Sequence, residues 1–194
     1  IQNGTSYFFP AIAMAAHVSK SPNGITNRNT PLKYRFDVAM SGRLGIELLP
    51  ADLNAEEIAF SKNAVNTYKT IRPIIQLGNL YRLTSPYQSS LASLMYVSDD
   101  TTKAVAFVYQ TQRMFGDFYP PIKLNGLHPN KNYKVSEINV AEKDQKKLTD
   151  VASVYSGEFL MKQGLNCVYW GKQGTLSVNL MGEFASAVFL LEEQ

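Results

Sequence analysis

Residues 54–83 read NAEEIAFSKNAVNTYKTIRPIIQLGNLYRL, and the chain changes character inside this stretch. Asn54 stands where a helix cap is wanted, with Glu57 placed after it in a capping-box arrangement. Ile58, Val65, Tyr68, Ile71 and Ile75, with Ala64 beside them, recur at helical spacing and form one apolar stripe, as in a helix lying on a sheet. Pro73 is expected to kink or end this helix, and Gly78-Asn79 to terminate it. From Leu80-Tyr81-Arg82-Leu83 onward the apolar residues come in short β-type runs instead.

Downstream, those runs are Leu91–Val97, Ala104–Gln110, Ile122–Leu124, Tyr133–Ile138, Leu176–Leu180 and Ala187–Leu191. Turn signals separate them: Ser85-Pro86, Asp99-Asp100, Gly126 with Pro129-Asn130, Gly171 with Gly174, and Gly182. Val105, Phe107 and Tyr109 alternate with Ala104, Ala106 and Val108. Short strands at regular turns predict an antiparallel sandwich or barrel.

Upstream, Leu32–Met40 reads as a helix with Leu32, Phe36, Ala39 and Met40 on one side, closed by Ser41-Gly42. Leu44–Leu49 reads as a strand holding Glu47 and stopped by Pro50. Before the helix, residues 19–31 form a loop rich in Ser, Pro, Asn and Gly, long enough to suggest function. The apolar run from Ala11 to Val18 is interrupted by His17, and Tyr7-Phe8-Phe9 is expected to be a buried strand or a helix end. The order is strand, helix, strand, helix, then a β-domain. Two βα units leave their sheet edges unpaired, whereas a parallel barrel closes with eight strands in about 250 residues. The expected fold class is therefore α+β and mainly β. Residues 1–78 are read as the last βα units of a (β/α)8 barrel, and residues 79–194 as an antiparallel β-sandwich. A start at Ile1-Gln2-Asn3-Gly4, with neither initiator methionine nor signal peptide, adds to the expectation of a missing amino-terminal portion.

Of the 194 residues, 45% are hydrophobic and 18% charged, a globular balance. The net charge of +3 is small and scattered, and the densest basic stretch, residues 142–147, carries two acids of its own, so no nucleic-acid partner is expected. No apolar run approaches the roughly 20 residues that span a bilayer. The single Cys167 excludes an internal disulfide, lacks His or Cys at metal spacing, and reads as a buried small hydrophobe. No metal and no cofactor are expected.

A set of motifs spans nearly the whole chain in order. Ile1-Gln2, Gly4-Thr5-Ser6, Met14-Ala15-Ala16-His17-Val18-Ser19, Pro22-Asn23 and Ala39-Met40-Ser41-Gly42 come first. Leu44-Gly45, Glu47-Leu48, Tyr68-Lys69, Ile71-Arg72-Pro73 and Tyr81-Arg82-Leu83 follow. Leu124-Asn125-Gly126-Leu127 and Tyr155-Ser156-Gly157-Glu158 lie in the β-region. Together they resemble the bacterial α-galactosidases (melibiase, raffinase type) of glycoside hydrolase family 36. The resemblance implies a (β/α)8 catalytic barrel followed by a β-sandwich, and retaining hydrolysis of terminal α-galactosides by two aspartates. It implies that both aspartates precede Ile1, that the chain alone is inactive, and that α-galactoside oligosaccharides are met through the full-length protein. That parent is a possible homo-oligomer in a bacterial cytoplasm or periplasm. Ala15-Ala16 departs from the pattern, which has glycine near the histidine. Residues 143–154 match little and read as an insertion.

The acids in hand do not replace the missing pair. A retaining mechanism sets two carboxyls about 5 Å apart across the glycosidic bond. Asp37, on the same helix as Lys33 and Arg35, is expected in a surface ion pair; Asp99-Asp100 belongs to a hairpin turn, and Glu158 to a turn or cap. Glu47 is the better candidate but has no partner acid. The resemblance places His17 at the carboxyl end of the seventh barrel strand, where loops build active sites. His17, Ser19 and Asn23 are accordingly expected to form a wall of the substrate cleft, with none of them catalytic. Tyr169-Trp170 and Phe115, Phe118 and Tyr119 offer ring faces for a sugar, although packing is the commoner role. A non-catalytic carbohydrate-binding sandwich is the alternative reading; it has no use for residues 1–78.

Overall fold

The computed structural model describes residues 1–113, 119–141, 147–150, 154–167, 176–180 and 182–194. A short helix α1 (Gln2–Thr5) and a 3-10 turn lead into strand β1 (Ala15–Ser19), helix α2 (Leu32–Met40), strand β2 (Arg43–Glu47) and the long helix α3 (Ala55–Leu77). β1 and β2 pair in parallel, with His17 opposite Gly45 and Ser19 opposite Glu47. This is the βαβα order that the sequence predicts.

The capping box of α3 forms in both directions: Asn54 Oδ1 accepts from Glu57 N at 2.9 Å, and Glu57 Oε2 from Asn54 N at 3.0 Å. Pro73 does not end the helix, which runs on to Leu77 and stops at Gly78. The stripe buries Ala64, Tyr68, Ile71, Ile74 and Ile75.

Strands β3 (Asn79–Thr84), β4 (Leu91–Val97), β5 (Lys103–Gln110), β6 (Asn132–Ile138), β8 (Val154–Ser156) and β11 (Ala185–Glu193) form one antiparallel sheet in the order β3-β4-β5-β11-β6-β8. A second sheet holds β7 (Leu148–Asp150), β10 (Leu176–Val178) and β9 (Asn166–Cys167). Helix α4 (Gly157–Lys162) follows β8 and carries Leu160 into the core. Strand β10 falls in the predicted run Leu176–Leu180, whereas Ile122–Leu124 forms only an isolated bridge, Ile122 to Leu165; β7, β8, β9 and α4 are too short to carry a periodicity of their own. The architecture is mainly β, as expected.

The strand alternation has a different consequence from a wet face and a dry one. Ala104, Ala106, Val108, Met95, Ala187 and Phe189 face a core shared with Leu165, Leu176 and Val178 of the second layer. Leu94, Tyr96, Val105, Phe107, Tyr109 and Val188 face a core shared with Val18, Phe36, Met40, Ile71 and Ile75. Both faces are buried, so β4 shows no exposed position along its length. Large residues meet the helices, and the small alanines of β5 meet the second layer.

The amino-terminal segment corrects one expectation. Tyr7, Phe8 and Phe9 follow α1 in a turn and are exposed rather than buried. What holds the segment is Arg82 of β3: its guanidinium donates to Ser6 O and, through Nε at 2.9 Å, to Ser6 Oγ, and lies 4.1 Å from the Tyr7 ring centroid.

Candidate functional site

β1 and β2 have two unlike faces. Ala16 and Val18 are buried toward α2 and α3, while Ala15 and His17 alternate with them to the opposite, open face. The parallel register sets Gly45 and Glu47 beside His17 and Ser19 on that same face. Both strands run in one direction, so Ser19 and Glu47 close their carboxyl ends together. Charge and hydroxyl at that end of a parallel pair is the arrangement from which barrel enzymes build sites.

His17 lies over Gly45. A Cβ at position 45 would come to 2.5 Å from His17 Cδ2, so a larger residue there would push the ring aside. His17 Nδ1 stands 3.2 Å from Glu47 Oε1, with side-chain exposures of 45% and 58%. Sequence reasoning treats Glu47 as an acid without a partner; the partner is a histidine on the neighbouring strand, visible only once the register is known.

Ser19 joins His17 on this face, and its carbonyl accepts from Arg35 Nη1 at 2.6 Å. Arg35 Nε also donates to Thr30 O, so α2 bolts both ends of the intervening loop. Asn23 behaves differently. Its Oδ1 accepts from Ile25 N, Thr26 N and Thr26 Oγ1 at 3.0–3.1 Å, which shapes the loop from within.

Asp37 is not at the surface, contrary to expectation. Its side chain is wholly buried, with Lys33 Nζ at 2.5 Å, Asn139 Nδ2 at 2.5 Å and Ser186 Oγ at 2.7 Å. The reason is that α2 packs on β11, and a buried carboxylate needs such donors. The other acids fall as predicted. Asp100 accepts from Ser98 Oγ, Thr102 N and Thr102 Oγ1 inside the β4–β5 turn, and these bonds hold its carboxyl down at about 2. Glu158 sits in the first turn of α4 and pairs with Lys162 at 2.6 Å. Asp37, Asp100 and Glu158 therefore stand on three separate elements, none of them β2.

Cys167 is part-buried against the sandwich core, and burial pushes its thiol up to about 12. Among the described residues no group of three or more His, Cys, Asp or Glu is placed to hold a metal, and no helix is long and apolar enough to cross a membrane. Tyr119 packs against the core and meets Ser90 Oγ at 2.6 Å through its hydroxyl, which makes it a packing residue. Phe115, Phe118, Tyr169 and Trp170 lie outside the described residues, as does most of the 143–154 stretch.

A parallel βα pair with polar groups at its carboxyl end, joined to a mainly β structure with a six-stranded antiparallel sheet, defines the class of fold. Comparison with known proteins makes this specific. Residues 91–191 match the glycosyl hydrolase family 36 C-terminal domain, and residues 1–78 match melibiase. The chain belongs to glycosyl hydrolase family 36. It is 33% identical over 195 residues to the probable alpha-galactosidase G of Aspergillus terreus, covering 100% of this chain and 23% of that one. It is 36% identical over 161 residues to alpha-galactosidase AgaA of Geobacillus stearothermophilus, covering 82% and 22%. Among solved structures, the family 36 alpha-galactosidase AgaB of Geobacillus stearothermophilus superposes with a TM-score of 0.80 at 32% identity, covering 100% and 23%. An AgaA variant in complex with stachyose gives 0.81 at 31%, covering 100% and 24%. The chain thus spans about a quarter of the length of the relatives it matches. Those relatives come from fungi and bacteria alike, so the bacterial branch is not singled out.

Proposed function

We propose that this chain is the closing part of a retaining α-galactosidase, with residues 1–78 completing a (β/α)8 barrel and residues 79–194 forming the sandwich that backs it. The observation that carries the reading is the parallel pair β1–β2, whose open face ends in Ser19, His17 and Glu47. In this reading His17, Ser19 and the loop shaped by Asn23 form a wall of the cleft. The two aspartates of the reaction lie upstream, and the chain alone does not hydrolyse. Its relatives include alpha-galactosidases solved in complex with raffinose and with stachyose. By likeness, terminal α-galactosides are the substrates of the parent.

Proton NMR of a longer polypeptide carrying this chain, acting on an aryl α-galactoside, tests the reading. Retention requires α-galactose as the first product, ahead of mutarotation. First release of the β-anomer, or no hydrolysis, would overturn it.

A further inference from the structure

We infer that the β-domain helps to build the substrate cleft: Phe184, in the turn that enters β11, is a positioning residue for the loop of residues 20–31 and acts through Arg28 and Tyr34. This rests on the α-galactosidase reading above, in which that loop is a wall of the cleft.

The loop leaves the carboxyl end of β1 and returns at the start of α2. Its own bonds shape it from within: Asn23 N donates to Arg28 O at 3.0 Å, and Thr30 N to Ser21 Oγ at 2.9 Å. Arg35 ties its two ends through Ser19 O and Thr30 O. The middle of the loop is tied to the β-domain instead. Arg28 Cζ lies 5.4 Å from the Phe184 ring centroid, within cation–π reach. The same ring meets Tyr34, in the first turn of α2, edge to face at 5.6 Å, and Tyr34 meets Tyr109 of β5 likewise at 6.0 Å. Two rings of the β-domain thus clasp Tyr34, and one of them reaches past it to the loop. All of these contacts lie within the chain, and none depends on a free surface.

The backbone sets the Phe184 ring apart from ordinary packing. Phe184 has a φ of 52°, a left-handed conformation that glycine adopts at less cost. Gly182 in the same turn, at a φ of 86°, does use glycine. A bulky residue persists in such a conformation where its surroundings hold it, and these outliers gather at functional sites. A loop held in place before the sugar arrives loses less conformational freedom on binding. The contact therefore acts on affinity and not on the chemical step.

The test uses the full-length protein carrying Phe184→Leu, Arg28→Met and both together, with melting temperatures as a fold control. Phe184→Leu keeps apolar bulk but removes the ring face. It should raise KM for an aryl α-galactoside, and Ki for galactose in parallel, by about 3- to 10-fold with kcat within twofold. Phe184→Tyr keeps the ring and should stay within twofold of wild type in both constants. Arg28→Met removes the same contact from the loop side and should raise both constants by about 2- to 5-fold; it decides the matter if Phe184→Leu does not fold. The double variant should be no worse than Phe184→Leu alone, because the two residues act through one contact. A lowered melting temperature with KM unchanged, or losses that multiply in the double variant, would overturn the inference. Wild-type protein without α-galactoside hydrolysis would instead overturn the reading on which it rests.

Discussion

Asp37 shows what one buried side chain does to the joint between helix and sheet. Its carboxylate binds Lys33 of the same helix, while Asn139 and Ser186 reach it from the sheet side. Asp37→Ala would strand the Lys33 ammonium, and a broken buried pair costs about 3–5 kcal/mol. Urea melts should show that loss, and Lys33→Met with Asp37→Leu should recover only part of it, because Asn139 Nδ2 and Ser186 Oγ then lose their buried acceptor. The sequence shows Lys33 and Asp37 as helical neighbours at i and i+4, which is ordinarily a surface signal. Ser186 is 149 residues away, so nothing local distinguishes the two cases. Asp100 gives a pH prediction of definite sign. Its folded value of about 2 lies below the ordinary 3.8, so its turn contributes stability above pH 3.8 that is lost as pH falls toward 2. NMR titration of the Asp100 carboxyl reads this directly. Cys167, protonated up to about 12, should resist a disulfide thiol reagent at pH 8 until denaturant is added.

Helix α2 depends on residues far from it in sequence. Three tyrosine hydroxyls donate to carbonyls in and just beyond its last turn: Tyr109 to Asp37 O at 3.0 Å, Tyr96 to Ser41 O at 2.7 Å and Tyr68 to Gly42 O at 2.7 Å. Burial raises the Tyr96 and Tyr109 hydroxyls, which keeps them as donors throughout the working pH range. Tyr96→Phe and Tyr109→Phe each leave a buried carbonyl without its donor, a loss of about 1–3 kcal/mol measurable by thermal unfolding. The start of α3 was legible because Asn54 and Glu57 are three residues apart, and the end of α2 because Ser41-Gly42 follows Met40; the tyrosine donors to that end were not, because they arrive from α3, β4 and β5. The same distinction governs the site. His17 and Ser19 stand out in one short run, whereas Glu47 gains its meaning from a strand register that no single segment states.

At the scale of the molecule, the six-stranded sheet is a partition with a core on each side. Removing residues 1–78 would uncover Leu94, Tyr96, Val105, Phe107, Tyr109 and Val188 together. Such an apolar face drives association, so a chain of residues 79–194 should bind a hydrophobic dye and self-associate in sedimentation, while the 194-residue chain shows less of both. A monomeric, dye-silent 79–194 would show that the second core is dispensable. The alternation of β5 announced a strand but not that both of its faces are dry, because a small-against-large pattern looks the same whichever side meets water. The α-galactosidase reading rests on the open face of β1–β2 and on acids that stand apart from one another. Release of chromophore from an aryl α-galactoside, measured on this chain and on a polypeptide extended upstream, tests it most directly. The account predicts no release by the chain and sustained release by the extended protein; turnover by the chain alone would contradict it.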